Sequence, residues 1–290
     1  MLSGSYVALV TPFKNNEIDY SSVERLIDFH LKNKTDGILL CGTTGESPSL
    51  ATDERERFIQ FAINKIGSKL PVMIGTGTNN LHKTISSTCR AKELCADYAL
   101  VITPYYNKPN QEGMYQFFKR VAEETEIPIV IYNVPGRTGV NISAETVIRL
   151  SEIKNIVGIK EASGNLRQIS KIIKDTSDEF SLMSGDDNLT LPILAVGAQG
   201  VISVTANILP EKVHNLVESY LNGKISQALE LHQELFEINE KLFIDTNPIP
   251  VKEAMAMMQL IEREIRLPLW TLSPEKLNVL RNTLIHYGLI

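Results

Sequence analysis

Lys160 closes the apolar run Ile156-Val157-Gly158-Ile159-Lys160-Glu161, and that placement gives it a chemistry. On a β-strand alternate side chains point to opposite faces, so Gly158 and Lys160 share one face and Val157 and Ile159 the other. A run that is apolar on both faces suits a strand covered on both sides, as in parallel sheets. If Lys160 turns inward, beside a glycine that leaves space, its ammonium is poorly solvated. Burial can then lower a lysine pKa by several units from about 10.4. A neutral amine attacks carbonyl carbons, which is how Schiff-base lysines work. The alternative is a lysine at a strand end that reaches into solvent, and its neighbours must decide between the two.

Those neighbours are polar groups at the ends of other apolar runs. Ile129–Asn133 leads into Val134-Pro135-Gly136-Arg137-Thr138-Gly139; by alternation Tyr132 shares a face with Val130. Inward placement brings the Tyr132 phenol near Lys160 on the adjacent strand, where it can shuttle protons; taken alone it reads more readily as a packing residue with a wet hydroxyl. Arg137 sits on a Gly/Pro-rich loop, where its planar fork can clamp a carboxylate or form a surface salt bridge. Cys41-Gly42-Thr43-Thr44-Gly45-Glu46-Ser47 is a tight turn whose amides and hydroxyls can converge on an anion; taken alone it reads more readily as a simple turn with satisfied hydroxyls. It is no P-loop, because the lysine after the second glycine is absent. Thr103-Pro104-Tyr105-Tyr106-Asn107 ends a further run. Cys41 reads as a buried structural thiol.

Positioning these groups takes a β-then-α rhythm. Strand candidates are Tyr6–Val10, Gly37–Cys41, Val72–Gly75, Ala99–Thr103, Ile129–Asn133, Val157–Lys160, Ser181–Ser184 and Val201–Val204. Helical patterns alternate with them. Thr52 is expected to N-cap a helix that opens with Asp53 and Glu54, and Ser143 with Glu145 repeats the device. Eight strands alternating with helices call for parallel βαβ units closing into a (β/α)8 TIM barrel of α/β class; a doubly wound open sheet is the other possibility. Gly75-Thr76-Gly77 lacks the third glycine of a dinucleotide fingerprint and reads as a strand-end turn. Beyond residue 222 the strands stop. Helices follow around Ile225–Leu242, over Val251–Leu260, and after Ser273-Pro274-Glu275, where serine caps and proline takes the first helical position. The expected organisation is a catalytic barrel over 1–222 and a C-terminal helical region over 223–290.

The bulk properties exclude several classes. The 290 residues are enough for one barrel domain, with 43% hydrophobic and 22% charged residues. A net charge of −5 argues against nucleic acid as the main partner. The cysteines Cys41, Cys89 and Cys95 are odd in number and lack metal spacing, which suits a reducing cytoplasm. Met1 to Tyr6 has no secretory character, and Leu191–Val204 is too short and too interrupted to span a membrane. The histidines are scattered without ligand spacing, so no metal site is expected.

Taken together the motifs resemble a known family. GTTGES at 42–47, TPYYNKP at 103–109, YNVPGRTGV at 132–140, GIKEASGN at 158–165 and SGDD at 184–187 closely resemble the 4-hydroxy-tetrahydrodipicolinate synthase (dihydrodipicolinate synthase) family of pyruvate-dependent class I aldolases. The likeness runs from Val7 into the helical tail. It implies that Lys160 forms a Schiff base with pyruvate and that Tyr132, Thr43 and Tyr106 relay protons, with Tyr106 supplied by the neighbouring subunit. It further implies that Thr44 and main-chain groups near Ile202 hold the pyruvate carboxylate, and that Arg137 binds the carboxylate of L-aspartate 4-semialdehyde. No cofactor is implied. The partners it implies are the two substrates and further copies of the chain, in a homodimer and, as usual in the family, a homotetramer. N-acetylneuraminate lyase and 2-keto-3-deoxygluconate aldolase would share Lys160 and Tyr132 but usually lack the Gly136-Arg137 pair. A barrel that binds a keto acid without catalysis is a third reading. Lysine-inhibited members carry histidines and a glutamate where this chain has Thr52, Arg55 and Lys83, although Ser47, Asn79 and Tyr105 match. Weak or absent inhibition by L-lysine is therefore expected.

Overall fold

The structure, a computed structural model, describes residues 2–290; Met1, part of the stretch read above for a signal, lies outside them. In chain order the strands are β1 (Gly4–Ala8), β2 (Phe13–Lys14), β3 (Glu17–Ile18), β4 (Gly37–Leu40), β5 (Val72–Gly75), β6 (Tyr98–Ile102), β7 (Ile129–Asn133), β8 (Ile156–Glu161), β9 (Ser181–Ser184) and β10 (Gly200–Ser203). All but β2 and β3 form a closed parallel barrel in the order β1-β10-β9-β8-β7-β6-β5-β4. This is the (β/α)8 TIM barrel, with helices after the last strand. The open-sheet alternative falls, because the strand order returns on itself.

The chain divides into two compact units. One comprises residues 2–4 and Pro71–Ile202, the other Ser5–Leu70 and Ser203–Ile290. In the first, β7 is buried along its whole length and β8 at every residue except Val157. Such strands are apolar because helices cover one face and the packed interior the other. The helices are amphipathic; Leu166–Asp175, for instance, buries only Ile169 and Ile172. Asn80, Asn110, Ser143 and Asn165 cap four of them, each accepting a bond from the amide three residues on.

In the second unit β2 and β3 form a hairpin through Asn15 and Asn16, both left-handed at φ 54° and 60°, a conformation that asparagine tolerates well. The helix expected at Thr52 runs Thr52–Ile66, but Ala51 is its N-cap and Thr52 its first helical residue. Glu54 reaches back instead to the Ala51 amide, 3.3 Å away. The late helices are Pro210–Leu221, Ile225–Lys241, Ile249–Met257 and Pro274–His286. Ser273 caps the last, as its spacing predicted. Leu267 and Trp270 stand exposed between the final two. Among the described residues no helix is long and apolar enough to cross a membrane, and no group of three or more His, Cys, Asp or Glu side chains could hold a metal ion.

Candidate active site

Lys160 lies one residue from the end of β8 and is 6% exposed. Parallel register sets it opposite Tyr132 of β7 and Met183 of β9. Its Nζ stands 4.6 Å from the centre of the Tyr132 ring, so the inward placement expected from alternation holds for both residues. Burial pushes the Lys160 pKa down from 10.5 to about 8; the carboxylate of Asp187 pulls it back up, and the guanidinium of Arg137 adds to the lowering. At pH 7 about a tenth of such amines are neutral, against fewer than about one in a thousand for an ordinary lysine.

The space beside Lys160 is shaped by a glycine other than the one expected. A Cβ on Gly158 would lie 2.4 Å from the Ser181 carbonyl oxygen, so Gly158 serves the close approach of β8 to β9. It opens no room next to the amine. Gly185, after β9, does that work: a Cβ there would lie 3.0 Å from Lys160 Cε and 2.8 Å from Ala162 Cβ.

Arg137 falls on a single helical turn, Pro135–Thr138, where a loop was expected, and its side chain is exposed. Pro135 at the first helical position and left-handed Gly139 at the end, φ 69°, make the turn short. Ile202 is buried in β10. Tyr106 is 89% exposed, and its backbone is left-handed at φ 74°. That conformation is costly for an aromatic residue and concentrates at functional sites.

The threonine turn belongs to the second unit. Thr44 is buried, and its Oγ1 accepts a bond from Asn247 Nδ2 at 3.0 Å; Thr43 is partly exposed. The turn is closed from within, since the Glu46 amide donates to the Thr43 carbonyl and the Ser47 amide to that of Gly42. Thr11 Oγ1 fastens it by donating to the Gly45 carbonyl at 2.7 Å. Two non-glycine residues bracket it in the left-handed region, Cys41 at φ 54° and Glu46 at φ 50°. Glu46 is held by Lys252, whose Nζ donates to its Oε1 at 2.6 Å and to the Thr11 carbonyl at 3.0 Å. Cys41 is the buried thiol expected, its pKa raised to about 11 by burial.

Lys160, Tyr132, Arg137 and Asp187 thus form one electrostatic group. Asp187 carried no role in the sequence reading, although it closes the SGDD motif; Asn247 and Lys252 carried none either. Nothing local could have revealed those two, because their partners lie 203 and 206 residues away.

The likenesses of the whole chain agree with this geometry. Residues 1–287 match the model of the dihydrodipicolinate synthetase family. A 4-hydroxy-tetrahydrodipicolinate synthase of Aquifex aeolicus is 50% identical over 290 residues, covering 100% of this chain and 99% of that protein. The crystal structure of dihydrodipicolinate synthase from the same organism superposes with a TM-score of 0.98 at 50% identity over 99% of each chain. A structure described as the first monomeric dihydrodipicolinate synthase variant also reaches 0.98, at 43% identity over 99% of this chain and 97% of that one. A half-identical sequence that keeps an inward lysine against an inward tyrosine leaves one conclusion: this chain belongs to the dihydrodipicolinate synthetase family.

Proposed function

We propose that the chain condenses pyruvate with L-aspartate 4-semialdehyde to give 4-hydroxy-tetrahydrodipicolinate, a step of lysine (diaminopimelate) biosynthesis. The observation that carries this reading is the buried Lys160 amine, lowered to a pKa of about 8 and set against the Tyr132 ring. The neutral amine adds to the ketone carbon of pyruvate and water leaves, forming a protonated imine on Lys160. The positive nitrogen acidifies the adjacent methyl group, which loses a proton to give the enamine. The enamine carbon attacks the aldehyde carbon, and the aldehyde oxygen takes up a proton. The amino group of the second substrate then adds to the imine carbon, closes the ring and releases the Lys160 amine. One water is formed overall and nothing is oxidised or reduced.

In this scheme Tyr132, Thr43 and Tyr106 move the protons. Thr44 and main-chain groups near Ile202 hold the pyruvate carboxylate, and Arg137 holds the carboxylate of the second substrate. Tyr106 acts in the site of a neighbouring subunit, so the working form is at least a homodimer and in the family's usual form a homotetramer. Its exposure and left-handed backbone support that role. The three free thiols suit a cytosolic location.

Borohydride reduction in the presence of pyruvate, followed by mass spectrometry, tests the chemistry. The expected result is one pyruvyl adduct on the Lys160 peptide; its absence overturns the reading. Arg137→Ala tests the second substrate, raising its KM by about 100-fold while the adduct still forms. Rapid turnover of N-acetylneuraminate with none of the semialdehyde would move the chain to another branch of the aldolases. Half-inhibition by submillimolar L-lysine would contradict the weak inhibition expected from Lys83.

A further inference from the structure

Behind the Lys160–Tyr132 pair lies a second pair, one residue further along each strand. Asn133 and Glu161 are register partners on β7 and β8, and both are fully buried. Asn133 Nδ2 donates to both Glu161 oxygens, at 3.1 Å each. The Ser163 amide donates to Glu161 at 2.7 Å and Gln168 Nε2 at 3.1 Å. Every donor that meets this carboxylate is neutral, and burial raises its pKa against the pull of those bonds. A buried carboxylate so costly to keep needs a reason, and its connections suggest one.

Asn133 also donates to Asn141 Oδ1 at 2.8 Å, and its own Oδ1 accepts the Ile142 amide at 3.3 Å. Gln168 bonds Asn141 through both of its amide atoms, at 2.8 and 3.3 Å, and donates to the Ile142 carbonyl at 3.1 Å. Asn133 and Asn141 are the two ends of the segment that carries Arg137. The Glu161 carboxylate therefore fixes which way the Asn133 and Gln168 amides face, and those amides draw the ends of that segment together. We propose that Glu161 is a positioning residue: it aims Arg137 for the second substrate by tying the Arg137 segment to the strand that carries Lys160. The inference rests on the role given to Arg137 above and extends it to a residue that touches no substrate.

Glu161→Gln keeps the volume but sets an amide N–H2 against donors that need acceptors. The wild-type protein is assayed first; no turnover of semialdehyde there would sink the function itself. With wild type active, the Glu161→Gln protein should still yield the Lys160–pyruvyl adduct. Its KM for L-aspartate 4-semialdehyde should rise about 10-fold or more, with KM for pyruvate changed by less than about threefold. Glu161→Gln with Gln168→Glu returns a carboxylate to the network and should recover part of that loss. If both KM values stay within about twofold of wild type, or rise together, Glu161 does not aim Arg137. Should Glu161→Gln fail to fold, Asn141→Ala decides: it removes the side-chain tie between the two ends of the segment while Glu161 stays in place, and an unchanged semialdehyde KM there overturns the proposal.

Discussion

Two lysines of this chain are buried to almost the same degree, Lys160 at 6% exposure and Lys252 at 3%, yet their surroundings give them opposite characters. Burial lowers the pKa of both. Lys252 is compensated at close range by the Glu46 carboxylate and the Thr11 carbonyl, and its ammonium lies 4.3 Å from the centre of the Phe13 ring. Lys160 has the ring of Tyr132 at 4.6 Å, with Asp187 opposed by Arg137. A carboxylate at hydrogen-bond distance makes a buried lysine a strut; the Lys160 nitrogen, which meets a ring instead, is suited to act as a nucleophile. Burial alone distinguishes neither; the difference lies in what meets the nitrogen.

Exchanging the two lysines for apolar residues breaks that comparison. The largest expected effect is on turnover: Lys160→Met lowers kcat/KM by at least about 1,000-fold and abolishes the borohydride-trapped adduct. Lys252→Met leaves the adduct able to form but takes from buried Glu46 its ammonium partner at Oε1, leaving it the Arg266 amide at Oε2. Chemical denaturation should then show a loss of about 3–5 kcal/mol, and Lys252→Met with Glu46→Gln should recover part of it. In the same denaturation assay Lys160→Met moves the other way. The drop from 10.5 to about 8 is a burial cost of ~3 kcal/mol at neutral pH, so this variant should be more stable by up to about that amount.

The smallest effect is a pH dependence. Below about 8 folded and unfolded chains both hold the Lys160 proton, and the burial cost is constant. Between about 8 and 10.5 only the unfolded chain holds it, so this group's contribution to stability rises with pH across that window. The rate of adduct formation with pyruvate should rise with pH and level off near 8 as the amine becomes neutral. A flat rate from pH 6 to 9 would contradict the lowered pKa.

Much of this was readable from the chain. The barrel strands announced themselves because strands covered on both faces must be apolar throughout, and their ends shifted by only one or two residues. Alternation placed Tyr132 and Lys160 on one face because β7 and β8 are sequential neighbours, so adjacency in the chain became adjacency in the barrel. Local rules failed where two residues compete for one job, as at Thr52, where the cap passed to Ala51 because Glu54 reaches back to that amide. They failed again at Gly158, whose missing side chain relieves the neighbouring backbone rather than the lysine. The bonds of Thr44 to Asn247 and of Glu46 to Lys252 had no sequence signature at all, since each joins a strand-end turn to a helical tail some 200 residues away.

Trp270 is the only tryptophan of the chain, and it is 69% exposed. Its indole therefore makes the protein a natural optical probe. In dilute solution its emission should be that of a hydrated indole, and any assembly that covers it should shift the light to shorter wavelength in proportion to protein concentration. Equilibrium between protomers and assemblies could thus be followed without attaching a dye.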